Sequence, residues 1–306
     1  MSKQTCRAVL MIEPSCFGFN EESFATNSFQ HRSEEDLEDI QDRAQIEFLA
    51  FVDALNEHGV DVHHYTDLPD STTPDSIFPN NWFSTHGEGK LCLYPMAVPN
   101  RRAERRADII EDLLEEGLTL KDFTAWESTE QYLEGTGSMV FDHDARLIYA
   151  ALSPRTHLDV LNAVAKELDY TAVPFQAYGA GGELIYHTNV LLCVGENFIA
   201  VGMDTVDEAD RASLLETMNA TGKTIIFLSN EQVYQHFAGN MLQVRSILDE
   251  RILVMSSKAF ESLNAEQKAV LGANNEHLLP ISIPTIEHIG GGSVRCMMAE
   301  LFFGEE

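Results

Sequence analysis

The chain has 306 residues, 44% hydrophobic and 23% charged, with 20 Lys+Arg against 49 Asp+Glu and a formal net charge of −29. This is the composition of a globular enzyme with a sizeable core, and the acidic field opposes nucleic acid and anionic membranes as partners. No apolar run approaches the roughly 20 residues of a bilayer span, Met1 to Cys16 lacks a secretory h-region, and five cysteines without a C-x-x-C pair leave at least one thiol unpaired. A cytoplasmic protein is expected.

Taken in chain order, the apolar pattern predicts a strand over Ala8 to Ile12, a long helix from Glu34 to His58 and a strand over Val60 to Tyr65. Between the first two lies a polar, irregular stretch, Phe17 to Arg32, too long for an ordinary connection and read as a lid or substrate-facing loop. A hairpin follows, with Trp82-Phe83, a turn at Gly87-Glu88-Gly89 and Leu91 to Tyr94, then a helix near Ala103 to Glu116 and a strand over Leu118 to Phe123. The cluster Arg101-Arg102-Ala103-Glu104-Arg105-Arg106 reads as the solvent face of that helix start.

The same order returns three times. Ser138 to Phe141, the turn Asp142-His143-Asp144, Leu147 to Leu152, a helix near Thr156 to Leu168 and Ala172-Val173-Pro174 form the second unit. Thr188 to Val194, Phe198 to Val201, a helix over Asp207 to Asn219 and Thr224 to Leu228 form the third. A fourth runs from Asn240 through a turn near Asp249, Ile252 to Met255, a helix over Asn264 to Leu271 and His277 to Ile281. A last strand, Ser293 to Phe303, has no helix of its own and completes a fifth unit with the N-terminal elements. The expected fold is therefore an α/β propeller, a single domain over residues 1–306 with five ββαβ-like repeats in a pseudo-fivefold ring and the fifth repeat shared between the termini.

Five positions mark this period: Asn81, Glu134, His187, Asn240 and Cys296, at intervals 134−81=53, 187−134=53, 240−187=53 and 296−240=56. In a ring of equivalent units such positions face one axis, which would bring a thiol, an imidazole and a carboxylate together. Cys296 follows Gly290-Gly291-Gly292-Ser293-Val294-Arg295, where the glycines allow close backbone approach, an unusual setting for a packing cysteine. It is the candidate nucleophile, while Cys6, Cys92 and Cys193 lie in apolar strands and read as buried hydrophobes. His187 is the candidate acid and base, and Glu134 the carboxylate that orients it or meets a substrate N–H. Asp142-His143-Asp144 carries metal-ligand types, but as consecutive turn residues without an H-E-x-x-H pattern they do not predict a metal. No P-loop or dinucleotide fingerprint is present either, so no cofactor is expected.

With Glu134-Gly135, His187 and the late Cys296 in this repeat, the chain resembles the guanidine-modifying enzymes of the pentein fold: arginine deiminase, dimethylarginine dimethylaminohydrolase, amidinotransferases and succinylarginine dihydrolase. The likeness runs from about Pro74 to Phe303 and is nearest to the amidinotransferase-like branch of citrulline-utilisation hydrolases. It implies Cys296 as nucleophile, His187 as general acid and base, and Glu134 beside imidazole and substrate. Asp75 to Asn81 resembles the segment that faces a substrate guanidinium, and Ser153-Pro154-Arg155-Thr156 a segment whose arginine grips a substrate carboxylate, with Arg101 or Arg102 as second clamp. Asn240, in Gly239-Asn240-Met241-Leu242, reads as structural. Asn80, Asn81 and Asn189 stand where deiminases carry carboxylates, which points to a ureido substrate such as citrulline, or to passage of arginine through citrulline to ornithine. The expected activity is cysteine-dependent hydrolysis of a small guanidino or ureido amino acid with release of ammonia, in a protein compatible with a homodimer. An amidinotransferase and a non-catalytic amino-acid-binding module are the alternatives.

Overall fold

In the computed structural model, the described residues are 4–68 and 71–303, and their strands pair into five separate three-stranded sheets. One sheet draws on both ends of the chain. Its centre is β1 (Ala8–Glu13), followed by a short helix α1 (Glu21–Phe24) and the long crossover helix α2 (Leu37–Glu57), which returns the chain to β2 (Asp61–Thr66), parallel to β1. Against the other edge of β1 the C-terminal strand Ala299–Leu301 runs antiparallel, with Ala8 opposite Leu301. The fifth unit is thus divided between the termini, as the leftover strand required.

The amphipathic period explains α2. Ile40, Ala44, Phe48, Phe51, Val52 and Leu55 are buried, and each large apolar side chain so covered contributes about 1.5–3 kcal/mol. Asp36 caps its start by accepting from the Glu38 N–H, and Gly59, at φ +74°, lets the chain leave.

The other four sheets repeat one design: an antiparallel hairpin, a helix, then a third strand parallel to the second. They comprise β3 (Phe83–His86), β4 (Lys90–Leu93), α3 (Ala107–Glu115) and β5 (Thr119–Asp122); then, after a single helical turn α4 (Gly135–Ser138), β6 (Val140–Asp142), β7 (Leu147–Ala151), α5 (Leu158–Leu168) and β8 (Thr171–Phe175). The third sheet has β9 (Leu192–Val194), β10 (Phe198–Val201), α6 (Glu208–Ala220) and β11 (Thr224–Phe227). After α7 (Asn230–His236) come β12 (Leu242–Arg245), β13 (Arg251–Ser256), α8 (Ser257–Ser262), α9 (Ala265–Ala273) and β14 (His277–Ile281), and the C-terminal strand is β15. Middle strands are buried almost throughout, whereas the third strands β2, β5, β8 and β11 are largely exposed or half-buried. That is the burial expected when one edge of each small sheet turns inward and the other faces water. Inner strands of neighbouring sheets pack together, β15 on β3, β6 on β9 and β9 on β12, and the Arg245 N–H donates to the Cys6 carbonyl at 2.8 Å.

Two expected elements differ. The helix predicted from Ala103 is divided, because a 3-10 turn (Pro99–Glu104) precedes α3 and is held by the buried pair Arg101–Glu104, three residues apart. The last strand is three residues long and does not start at Ser293, since Cys296, Met297 and Met298 donate their N–H groups back to Ser293, Val294 and Arg295 and curl this segment into turns. No helix among the described residues is long and apolar enough to cross a membrane.

Candidate active site

Each rung of the sequence ladder lies on a short turn that feeds the first strand of a unit. Asn81 ends the 3-10 turn Pro79–Asn81 before β3, Glu134 stands at the head of α4 before β6, and His187 opens the 3-10 turn Thr188–Val190 before β9. Asn240 precedes β12 and Cys296 sits in the turn before β15; all five side chains are buried. Glycine makes their approach possible. A Cβ at Gly137 would lie 2.5 Å from Asn81 Nδ2 and 2.7 Å from His187 Nδ1, inside any real contact distance.

The imidazole of His187 meets Glu134, with Nε2 2.8 Å from Oε2. Facing a carboxylate, Nε2 carries the proton and Nδ1 keeps its lone pair. Every other contact of Glu134 is also a donor: the Ala97 N–H reaches Oε1 at 3.0 Å, and Arg155 Nη1 reaches Oε2 at 3.3 Å. Burial alone would raise this carboxyl pKa, but the Arg155 charge, the bond and charge of His187 and the charge of Arg101 outweigh it and hold the group well below the usual carboxylate range. Burial pushes the His187 pKa down to about 4, with Glu134 opposing and the two arginines adding, so the ring is a neutral base at pH 7.

Cys296 Sγ accepts from Asn189 Nδ2 at 3.4 Å and Asn240 Nδ2 at 3.3 Å. The other strand cysteines have a different setting: burial pushes the thiols of Cys92 and Cys193 up to about 12 and that of Cys6 well above its ordinary value, which makes them inert.

Around this pair stands a charged wall. Arg101 forks onto Glu104 at 2.8 and 2.9 Å, donates to Asn81 Oδ1 at 2.8 Å, and lies 3.6 Å from Asp75. Asp75 Oδ2 accepts from Asn20 Nδ2 and Ser23 Oγ at 2.8 and 2.7 Å, but its Oδ1 is buried with no partner among the described residues. Asn189 Oδ1 shares that condition. Asp75, Asn81, Arg101, Arg155, His187 and Cys296 all line one cavity of about 10 Å³, the room of a single water.

The segment Phe17 to Arg32 closes it. Arg155 donates through Nε and Nη2 to Thr26 Oγ1 at 2.9 and 2.7 Å and through Nη2 to the Ser23 carbonyl at 3.0 Å. Asn27 and Gln30 donate to the carbonyls of Gly291 and Gly290 at 3.3 and 3.2 Å. The expected carboxylate grip, Arg155, is in this structure the fastening of the loop.

Not every expected residue arrives. Arg102 stays outside the cavity, partly exposed, with Nε on the Met96 carbonyl at 3.0 Å and Glu127 at 3.5 Å. Arg101, two residues from the Pro99 that starts the turn, points the other way into the interior, so the basic cluster is not simply a solvent face. Asn80 lies behind Asn81 and bonds Thr136 Oγ1 at 3.2 Å. Glu104 and the loop residues Asn20, Ser23 and Thr26 were not singled out in the sequence, and only their position in the long polar stretch or the basic cluster could have drawn attention to them. His143 of the turn with metal-ligand types stacks on Phe141 and bonds Tyr170 Oη at 2.7 Å, a packing role.

The family model for eukaryotic N,N dimethylarginine dimethylhydrolase matches residues 13–303. The chain belongs to this family. The guanidine-modifying superfamily anticipated from the sequence is thereby found, and the family is one of hydrolases acting on guanidino C–N bonds. Solved structures agree in fold. The substrate-bound N-terminal domain of ArgZ, an arginine dihydrolase of the ornithine-ammonia cycle in cyanobacteria, superposes with a TM-score of 0.73 at 17% identity, covering 96% of this chain and 97% of that one. Unliganded AgrE gives 0.77 at 19% identity over 99% of this chain, which spans 41% of AgrE. A dimethylarginine dimethylaminohydrolase from Pseudomonas aeruginosa, in complex with citrulline, gives 0.67 at 14% identity over 97% of this chain and 100% of that one. The five small sheets are those of the pentein fold. No curated protein sequence matches the chain significantly.

Proposed function

We propose that the protein is a single-domain cysteine hydrolase that releases ammonia from an arginine-type guanidino amino acid through a covalent adduct on Cys296. The observation that carries this is the convergence of the Cys296 sulfur, the Glu134-held imidazole and an unpartnered Asp75 oxygen on one buried cavity. Of the residues lining that cavity, Asp75 leaves an acceptor open, its Oδ1, and the unpartnered Oδ1 of Asn189, whose amide nitrogen bonds the Cys296 sulfur, is an acceptor too. A guanidinium offers only N–H donors, whereas a ureido group brings an oxygen that needs a donor of its own. Asn81, read from sequence as a contact for a neutral group, gives its oxygen to Arg101 and its amide to Asn80.

In the first half-reaction the Cys296 proton passes to His187 Nδ1, sulfur bonds to the guanidinium carbon, and the C–N bond breaks as ammonia leaves with the proton from His187. In the second, His187 takes a proton from water, the resulting hydroxide adds to the same carbon, and the C–S bond breaks as His187 returns its proton to sulfur and the carbon-bound hydroxyl loses its own to solvent, leaving the thiol and a ureido product. Entry requires the 17–32 loop to lift, and a substrate carboxylate would replace Thr26 and the Ser23 carbonyl on Arg155. A second cycle on the ureido product, arginine through citrulline to ornithine, is favoured by the likeness to the citrulline-utilisation branch, while Asn80 and Asn81 are engaged with Thr136, Arg101 and each other. The neighbour contacts β15 on β3, β6 on β9 and β9 on β12, with Arg245 on Cys6, support closure of the five sheets into a pseudo-fivefold ring.

The test is ammonia and residual-amine analysis with arginine, N-methylated arginines, citrulline and N-succinylarginine, with and without glycine as acceptor. Ammonia release that Cys296→Ser abolishes supports the reading. Amidino transfer to glycine, or full activity in Cys296→Ser, sinks it.

A further inference from the structure

Asn240, read from sequence as scaffold, bridges the nucleophile and the imidazole-bearing turn. The backbone at Gly239 crosses the turn after His187 so closely that a Cβ there would lie 2.5 Å from the Val190 carbonyl oxygen and 2.6 Å from the Leu191 carbonyl carbon. The next side chain, fully buried, makes three directed bonds. Its Oδ1 accepts the N–H of Arg295, the residue before the nucleophile, at 3.0 Å. Its Nδ2 donates to the Asn189 carbonyl at 3.0 Å and to Cys296 Sγ at 3.3 Å.

These bonds admit one orientation of the amide. Reversing it would set NH₂ against the Arg295 N–H and an oxygen against the Asn189 carbonyl, so the N–H aimed at sulfur is dictated by the backbone on both sides. Asn189 has no such restraint, because its Oδ1 has no partner among the described residues. An N–H bond to an anion is roughly twice as strong as one to a neutral acceptor. Beside a buried sulfur, a fixed donor therefore favours the anion over the thiol.

We propose that Asn240 is a functional residue of this site, the fixed donor that stabilises the Cys296 thiolate and sets its position relative to His187. The proposal rests on the reading of Cys296 as nucleophile. It assigns the Gly239-Asn240 pair two linked tasks, close approach by the glycine and bridging by the asparagine.

The experiment measures carboxamidomethylation of Cys296 by iodoacetamide between pH 6 and 9, without substrate, by peptide mass spectrometry on the full chain. Variants are Asn240→Ala, which removes the donor, and Asn240→Asp, which keeps the acceptor for Arg295 and sets an acid against sulfur. Each is expected to slow alkylation at pH 7 at least tenfold and to move the profile to higher pH, with kcat reduced at least a hundredfold and KM within threefold of wild type. Thermal unfolding shows which variants are folded, and if Asn240→Ala is not, the near-isosteric Asn240→Asp decides. A folded Asn240→Ala, or Asn240→Asp, alkylated at the wild-type rate with an unchanged profile overturns the proposal. Because alkylation needs no substrate, absence of ammonia release by the wild type would overturn the hydrolase reading without affecting this comparison.

Discussion

Glu134→Gln is the sharpest single perturbation of this site, because both carboxylate oxygens face donors only. Oε1 receives the Ala97 N–H and Oε2 receives His187 Nε2 and Arg155 Nη1. A glutamine must turn its NH₂ toward one set or the other, so at least one buried donor meets another donor, at a cost of about 1–3 kcal/mol. If the NH₂ faces His187, the ring proton is driven to Nδ1 and the base nitrogen is blocked. The Arg155 guanidinium also loses a charge partner at 3.3 Å, and breaking a buried ion pair by removing one member costs about 3–5 kcal/mol. These penalties overlap, and a loss of about 3–5 kcal/mol in stability is expected. Removing the general base and acid function lowers the rate by about 10²–10⁴. Urea denaturation gives the first quantity and steady-state ammonia release the second, both at pH 7. A Glu134→Gln enzyme within tenfold of wild-type kcat, or equally stable, would refute the orienting role argued for this carboxylate.

Further outcomes follow from the same geometry. Arg155→Ala removes the bonds that fasten the loop, worth about 0.5–1.5 kcal/mol each, so hydrogen exchange across residues 20–32 should accelerate at least tenfold and KM should rise. Gly137→Ala forces a Cβ into Asn81 Nδ2 and His187 Nδ1 and should reduce ammonia release at least a hundredfold while circular dichroism stays unchanged. His143 supplies a pH test: burial, with the neighbouring His86, lowers its folded pKa to about 3, against about 6.5 unfolded. The folded ring stays neutral while the unfolded one gains a proton, so its contribution is present above pH 6.5 and is lost on acidification toward pH 3. Between pH 7 and pH 5 this amounts to about 2 kcal/mol, and His143→Phe should shrink the pH dependence of unfolding by that much.

Much of the architecture was legible in the residues. The period near 53, Gly-rich hairpin turns and a leftover C-terminal strand led to five units with the last divided between the termini, because apolar alternation and turn chemistry act locally. Where local signals were weak, the boundaries moved: the helix at Ala103 broke around a buried Arg101–Glu104 pair, and α7 and α8 were not foreseen as helices. The ladder also located the rungs of the site, since equal spacing in similar units brings side chains to equivalent turns.

What each rung touches is a different matter. Spacing alone determined that thiol, imidazole and carboxylate belong to one period, and residue type determined which chemistry they can perform. Only the tertiary structure decided that Arg101 turns inward while Arg102 turns out, that Arg155 fastens the 17–32 loop, and that Asn240 donates to sulfur. Those outcomes depend on partners that local patterning does not connect: Asn240 and Cys296 are 56 residues apart, and Arg155 and Thr26 are 129 apart. A buried donor or acceptor must be satisfied by whatever the fold brings within about 3 Å, and no local pattern in the chain encodes that distance.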